Sequence, residues 1–112
     1  MPDRSSCPIA KSLDLLGDKW TLLILRDALV FNRRTYSEFA RSPEHIPTNL
    51  LAERLKRLVA SGLLEKVAYQ KNPERFEYLP TAKGRAIRPV IKALRHYGET
   101  FLEDAEPEPR IF

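Results

Sequence analysis

A stripe of leucines dominates the hydrophobic pattern in the middle of the chain. Leu51, Leu55 and Leu58 recur at positions i, i+4 and i+7, which places them on one face of a helix. Arg54 and Arg57 are predicted to flank this stripe on its two sides. The opposite face carries polar and small residues, namely Asn49, Ala52, Glu53, Lys56 and Ala60. The pattern predicts an amphipathic helix that rests on a core and presents polar groups outward.

Both ends of this helix carry local signals. At its start, either Thr48 caps the first turn with its hydroxyl or Pro47 occupies the first helical position. At its end, Gly62 suits the left-handed residue that follows a helix, and Leu63 can fold back on Leu58.

Two further helices are predicted at the beginning of the chain. The first covers roughly Ile9–Leu16, with Pro8 in its first turn, and Gly17 ends it. Asp18 is a good N-cap for the next helix, roughly Lys19–Leu29. Because this second helix is apolar on almost every side, we expect it to form the core.

A capping box introduces the next short helix. Thr35 and Glu38 have the spacing at which each side chain bonds the backbone of the other, and the helix is expected over Tyr36–Arg41. Its inward-facing residues are predicted to be Tyr36, Phe39 and Ala40. The turn 42–45 leads into the leucine-striped helix, so the pair has helix-turn-helix geometry.

After Gly62 the hydrophobic period changes. Leu64–Tyr69 and Arg75–Leu79 are predicted to be strands, and the polar turn 70–74 joins them into a β-hairpin.

A long final helix, roughly Ala82–Glu103, is predicted to follow, with Thr81 as its cap and with kinks at Gly84 and Pro89. Its apolar stripe is too long for so small a domain to cover alone, and consists of Ile87, Val90, Ile91, Leu94, Tyr97 or Gly98, Phe101 and Leu102.

The charge of the chain is uneven. Its 112 residues have a net charge of +4, but from Arg33 to Arg88 there are 12 cationic residues against 6 acidic ones. The last 14 residues carry 5 acidic residues and one basic residue. A basic middle suits a polyanionic partner, although a generally basic solvated surface has the same composition. The length suits a single domain over residues 1–104, followed by a flexible tail over 105–112.

The composition disfavours several classes of protein. The N-terminus lacks the apolar run of a signal peptide, and no apolar stretch approaches the roughly 20 residues that span a bilayer. A single cysteine forms no internal disulfide, which suits a reducing cytoplasm. His45 and His96 lack the spacing of a zinc site, and no nucleophile motif or phosphate-binding glycine loop occurs. We therefore expect no enzymatic activity, no cofactor, no metal and no membrane partner.

The order of elements is that of a winged helix-turn-helix domain, which is mostly α with a small β-hairpin (α+β). Over about residues 7–102 the chain also resembles the HxlR-type (MarR-like) transcriptional regulators. The segments that carry the resemblance are Cys7-Pro8, 15–25, 36–39, 46–55, Gly62-Leu63 and 78–81 with Gly84. The chain departs from the family at Pro47, where Ser or Ala is frequent, and at Asp18, where Gly is frequent.

Members of this family are dimeric bacterial winged-helix regulators that bind DNA, and the resemblance implies the same here. Thr48 and Asn49 are predicted to read base edges, because an amide both donates and accepts in the major groove. Glu53 is a third candidate, although Glu53 and Arg57 also form an ordinary i, i+4 pair. Phosphate contacts are predicted for Arg33, Arg34, Thr35, Lys56 and Arg57, and at the hairpin tip for Lys71, Asn72 and Arg75. The alternative for these residues is a solvated surface.

Cys7 or Ser6 is predicted to cap the first helix, where the helix dipole would stabilise a thiolate. Some regulators that resemble this chain sense oxidants or electrophiles at the Cys-Pro position, so Cys7 is either a redox sensor or a thiol that packs at the dimer interface. A two-fold interface is predicted from Leu13, Leu16, Val90, Ile91, Leu94, Tyr97 and Phe101.

Together these features predict a cytoplasmic, homodimeric transcriptional regulator that binds double-stranded DNA sequence-specifically, with an oxidant or small molecule as effector. The alternative is a winged-helix module for protein–protein assembly, whose basic face meets an acidic partner.

Overall fold

The computed structural model of the protein describes residues 5–105. Within this range, four helices precede one antiparallel hairpin and two helices follow it. The elements are α1 (Pro8–Leu16), α2 (Thr21–Leu29), α3 (Tyr36–Ala40), α4 (Thr48–Ala60), β1 (Leu64–Lys71), β2 (Glu74–Pro80), α5 (Ala82–Arg85) and α6 (Arg88–Phe101). This order confirms the winged helix-turn-helix fold. Except for Ala105, the predicted tail lies outside the described residues.

The leucine stripe of α4 is the centre of the core. Leu51, Leu55 and Leu58 are fully buried, and they pack with Ile24 and Leu25 of α2 in one apolar cluster. Burying a leucine side chain contributes roughly 1.5–3 kcal/mol. The stripe therefore fixes which face of α4 points away from the protein.

The predicted local signals around α3 and α4 are present. Thr35 and Glu38 form the complete capping box. Gly62 ends α4 with a φ of +80°. The N–H of Leu63 donates to the carbonyl of Leu58 at 2.9 Å, as in a Schellman motif.

Two helix starts differ from the prediction. α2 begins at Thr21 rather than near Lys19, although the carboxylate of Asp18 still accepts bonds from the N–H groups of Trp20 and Thr21, both at 3.1 Å. At α4, Pro47 is the N-cap residue and Thr48 the first helical residue, without a side-chain cap bond.

The hairpin and the final helix also differ in extent. Both strands of the hairpin are longer than predicted and leave a shorter turn. The single final helix is wrong: α5 and α6 are separate. Gly84 lies so close to the segment between α4 and β1 that a Cβ atom there would be 2.1 Å from the carbonyl oxygen of Leu63. This close approach holds α5 against the end of α4, and the chain then turns before Pro89 enters the first turn of α6.

Candidate nucleic-acid interface

The first turn of α4 is exposed and firmly held. Thr48 and Asn49 are both exposed. The phenol of Tyr36 on α3 donates to the backbone carbonyl of Thr48 at 3.1 Å. Tyr36 was predicted to face the core, but it is 38% exposed. It therefore links the two helices of the helix-turn-helix, a role that the apolar pattern did not reveal.

A buried arginine on α2 anchors the turn between α3 and α4. Arg26 donates to both carboxylate oxygens of Glu44, at 2.7 and 2.9 Å, and it also bonds Ser42 and Asp27. The hydrogen bonds from Arg26 lower the pKa of Glu44 to about 2, against burial, which raises it. Glu44 is therefore ionised at neutral pH, and this ion pair ties the turn to the core.

The charged residues of α4 pair differently from the prediction. Arg54 and Arg57 were expected on opposite sides of the leucine stripe, but both meet the carboxylate of Asp18. Glu53 is exposed and pairs with Arg54 rather than with Arg57. Because the carboxylate of Asp18 binds the guanidinium of Arg57, we do not propose a phosphate contact for Arg57.

The residues predicted to contact phosphate around α3 lie on one loop and helix start. Arg34 is exposed and donates to the side chain of Asn32, while Thr35 caps α3. The guanidinium of Arg33 is half-buried and donates to the carbonyl of Glu38 at 3.3 Å. The backbone of Arg34 also accepts the N–H of Tyr78 at 2.7 Å, which fixes the hairpin beside this loop.

The hairpin tip carries the three residues that are predicted to contact phosphate there. Lys71, Asn72 and Arg75 are all exposed. In the middle of the hairpin, the ammonium of Lys66 lies over the ring of Phe76, 4.4 Å from its centroid. Lys56, on the outer face of α4, is exposed as well. Exposed cations thus occur on α4 and on the hairpin tip.

Exposed apolar side chains of α1 and α6 form one apolar face. The exposed members of the predicted dimer interface are Leu13, Val90, Leu94, Tyr97 and Phe101. The other two members, Leu16 and Ile91, are only 7% exposed and belong to the core. Ile9 is exposed as well and lines the same groove as Leu13, Val90 and Leu94.

Cys7 is the N-cap residue of α1 and is exposed. Its backbone N–H donates to the hydroxyl of Ser5 at 3.0 Å. Its carbonyl accepts the N–H of Lys11 at 2.9 Å. The thiol itself makes no cap bond.

Among residues 5–105, no helix has the length and apolarity to cross a membrane. Over the same residues, no three His, Cys, Asp or Glu side chains are grouped as metal ligands. The cytoplasmic location and the lack of a cofactor or enzymatic activity stay predictions.

Known proteins are similar to this chain in both sequence and fold. A sequence model described as HxlR-like helix-turn-helix matches residues 15–106. Rv3095 of Mycobacterium tuberculosis, named an HTH-type transcriptional regulator, is 40% identical over 101 residues, which are 90% of this chain and 63% of that relative. The chain thus spans less than two thirds of this relative's length.

Two solved structures have the same architecture. A protein of Porphyromonas gingivalis, described as a candidate transcriptional regulator of the MarR family, has a TM-score of 0.77 at 32% identity, covering 91% of this chain and 98% of its own. The reduced form of the redox regulator HypR has a TM-score of 0.72 at 28% identity, covering 83% of this chain and 91% of its own.

Proposed function

Because the chain belongs to the HxlR-like helix-turn-helix family, we propose that it is a homodimeric transcriptional regulator that binds duplex DNA sequence-specifically through α4. The observation that carries this proposal is the first turn of α4. There Thr48 and Asn49 are exposed at the start of a helix whose opposite face is buried in the core. Such a helix can enter a major groove without rearranging.

The roles of individual residues follow from their positions. Asn49 donates to and accepts from a base edge, and Thr48 offers a hydroxyl and a methyl group beside it. Glu53 lies one turn further along α4 and accepts from a base amino group after exchanging its bond with Arg54. Phosphate contacts come from Arg34, Thr35 and Lys56 on the helix-turn-helix, from Arg33 at its edge, and from Lys71, Asn72 and Arg75 on the hairpin.

Binding to DNA is tested by selecting a site from random duplexes and titrating it beside a shuffled duplex at 50 and 200 mM salt. We expect the selected site to bind at least about 10³-fold more tightly than the shuffled one. If a dimer contacts six phosphates, both affinities should fall about 10³-fold between the two salt concentrations. Binding that is neither selective nor salt-dependent would instead favour the assembly module with an acidic partner.

The apolar face on α1 and α6 supports the homodimer. Leu13 of α1 and Val90 and Leu94 of α6 line one groove, and Tyr97 and Phe101 continue the same face. Contiguous exposed apolar surface of this kind is typical of protein–protein contacts. A second copy would cover it symmetrically and present two α4 helices to successive turns of DNA, about 34 Å apart.

A redox input at Cys7 is the second part of the proposal. Cys7 is exposed at the first turn of α1, next to the apolar face, and a structural neighbour is a redox regulator. On oxidation, the thiols of two Cys7 residues lose two electrons and two protons and form one disulfide between copies. A small thiol can take the place of the second cysteine. A small-molecule effector stays a prediction.

The response to a thiol oxidant such as diamide separates a sensor from a packing thiol. Oxidation of the wild type is expected to weaken binding to the selected site by between about 5- and 150-fold, as in typical coupled equilibria. Cys7→Ser should bind equally well with and without oxidant. An unchanged response in Cys7→Ser would remove Cys7 from the mechanism.

A further inference from the structure

The carboxylate of Asp18, in the junction between α1 and α2, is a polar anchor for α4 beside the leucine stripe. It accepts the backbone N–H groups of Trp20 and Thr21 at 3.1 Å. From α4 it receives the Nε–H of Arg54 at 2.9 Å and an Nη2–H of Arg57 at 2.6 Å. One side chain therefore joins the start of α2 to two successive turns of the proposed recognition helix.

Arg57 is held by several groups at once. The same Nη2 atom donates to the hydroxyl of Thr21 at 2.9 Å and to the carbonyl of Leu15, at the end of α1, at 3.4 Å. Arg54 has a second acceptor, the carboxylate of Glu53. Arg54 and Arg57 are thus both paired with carboxylates of the same chain.

The cluster is partly shielded from water. The side chains of Asp18, Arg54 and Arg57 are 23%, 17% and 35% exposed. Burial alone would raise the pKa of Asp18, but the hydrogen bonds from Thr21, Arg54, Trp20 and Arg57 outweigh it and hold the pKa well below its usual range. Asp18 is therefore a permanent anion at neutral pH.

Arg57 is within reach of the DNA-facing side of α4. Eight residues at about 100° each place it about 80° around the helix from Asn49, and it lies one turn beyond the exposed Glu53. An arginine released from Asp18 would swing outward toward phosphates on either side of a groove. Attraction to phosphate is independent of sequence, so such a contact would tighten binding to every duplex alike.

We propose that Asp18 determines specificity: it withholds Arg57 and Arg54 from DNA phosphates and fixes the rotation of α4 that presents Thr48 and Asn49 to bases. This inference rests on the proposed binding of duplex DNA. Asp18 acts through the two arginines and touches no base, so it is a positioning residue. By withholding the two arginines Asp18 lowers the affinity for every duplex. By fixing the rotation of α4 it favours the base contacts that only the selected site makes, and this increases the ratio between the two affinities.

Asp18→Asn tests the withheld charge because it removes the anion and keeps the shape. On shuffled DNA, the slope of log affinity against log salt should become steeper by about 0.9 for each arginine released. Between 50 and 200 mM salt this amounts to about a 3.5-fold additional loss of affinity per contact. Binding to shuffled duplex should tighten at 50 mM salt because phosphate contacts are gained. The ratio of selected to shuffled affinity should fall because α4 loses the anchor that aligns Thr48 and Asn49 with bases. Equal weakening on both duplexes with an unchanged slope would overturn the proposal.

Arg57→Gln is the matched variant, and it decides the matter even if Asp18→Asn fails to fold. In the otherwise wild-type protein we expect Arg57→Gln to leave the salt slope unchanged, since Arg57 does not reach phosphate. A slope that becomes shallower by about 0.9 for each copy of Arg57, about 1.8 in the dimer, would place Arg57 on the DNA and overturn the inference. Adding Arg57→Gln to Asp18→Asn should return the slope toward the wild-type value. A wild type that shows no salt-dependent DNA binding would contradict the proposed function itself, which separates that failure from failure of this inference.

Discussion

Leu94→Glu is expected to make the protein monomeric and to weaken its affinity for the selected DNA site by about 10²–10⁴-fold, the usual gain from linking two binding modules. Leu94 is 53% exposed at the middle of the apolar face. A carboxylate there would be buried without a partner in the dimer, which costs several kcal/mol. Analytical ultracentrifugation gives the oligomeric state, and titration of the same sample gives the DNA affinity.

His96→Glu is the control for this substitution. His96 is exposed on α6, but it lies two residues from Leu94 and therefore about 200° around the helix, away from the apolar face. It should remain dimeric and bind the site nearly as well as the wild type, apart from a small effect of its charge. A Leu94→Glu protein that stays dimeric would show that the dimer does not form through this face.

The local structure of the helix-turn-helix could be predicted because its signals lie close together in the sequence. The capping box needs only Thr35 and Glu38, and the end of α4 needs only Gly62 after an amphipathic helix. The leucine spacing likewise identified which face of α4 is buried. The exposed positions of Thr48 and Asn49 follow from these same signals.

Distant pairings could not be predicted from spacing. Glu53 and Arg57 have the i, i+4 spacing of an ordinary helical pair, yet Arg57 binds Asp18, 39 residues earlier in the chain. The anchoring of the turn by Arg26 and Glu44 spans 18 residues in the same way. These ion pairs depend on how α2 packs against the helix-turn-helix, which no local pattern encodes.

The apolar stripe of the last helix shows a second limit. Its periodicity identified one face, but not which residues of that face pack within the chain. Ile91 turned out to lie in the core whereas Leu94 is exposed. The break before α6 had a similar origin, because the close approach of Gly84 to Leu63 is a tertiary contact. From the sequence, Gly84 predicted only a kink, whereas its packing against Leu63 is accompanied by a break between α5 and α6.

Asn49→Ala has the second-largest expected effect on DNA recognition. A good bidentate contact to a base is worth about 1–3 kcal/mol of discrimination, which corresponds to roughly 5- to 150-fold in affinity ratio. Asn49 is exposed and α4 is anchored by its leucines, so truncating the amide should leave the fold and the phosphate contacts intact. Lys56→Ala, on the same face of the helix, is the matched control. It should weaken binding to all duplexes and make the salt slope shallower by about 0.9 for each of the two copies of Lys56, about 1.8 in the dimer.

Whether the first turn of α4 reads bases is tested by the ratio of affinities for the selected and shuffled duplexes in wild type, Asn49→Ala and Lys56→Ala. We expect this ratio to fall by roughly 5- to 150-fold in Asn49→Ala and to stay near the wild-type value in Lys56→Ala. Equal loss of affinity for both duplexes in Asn49→Ala, with the ratio unchanged, would show that Asn49 does not read bases.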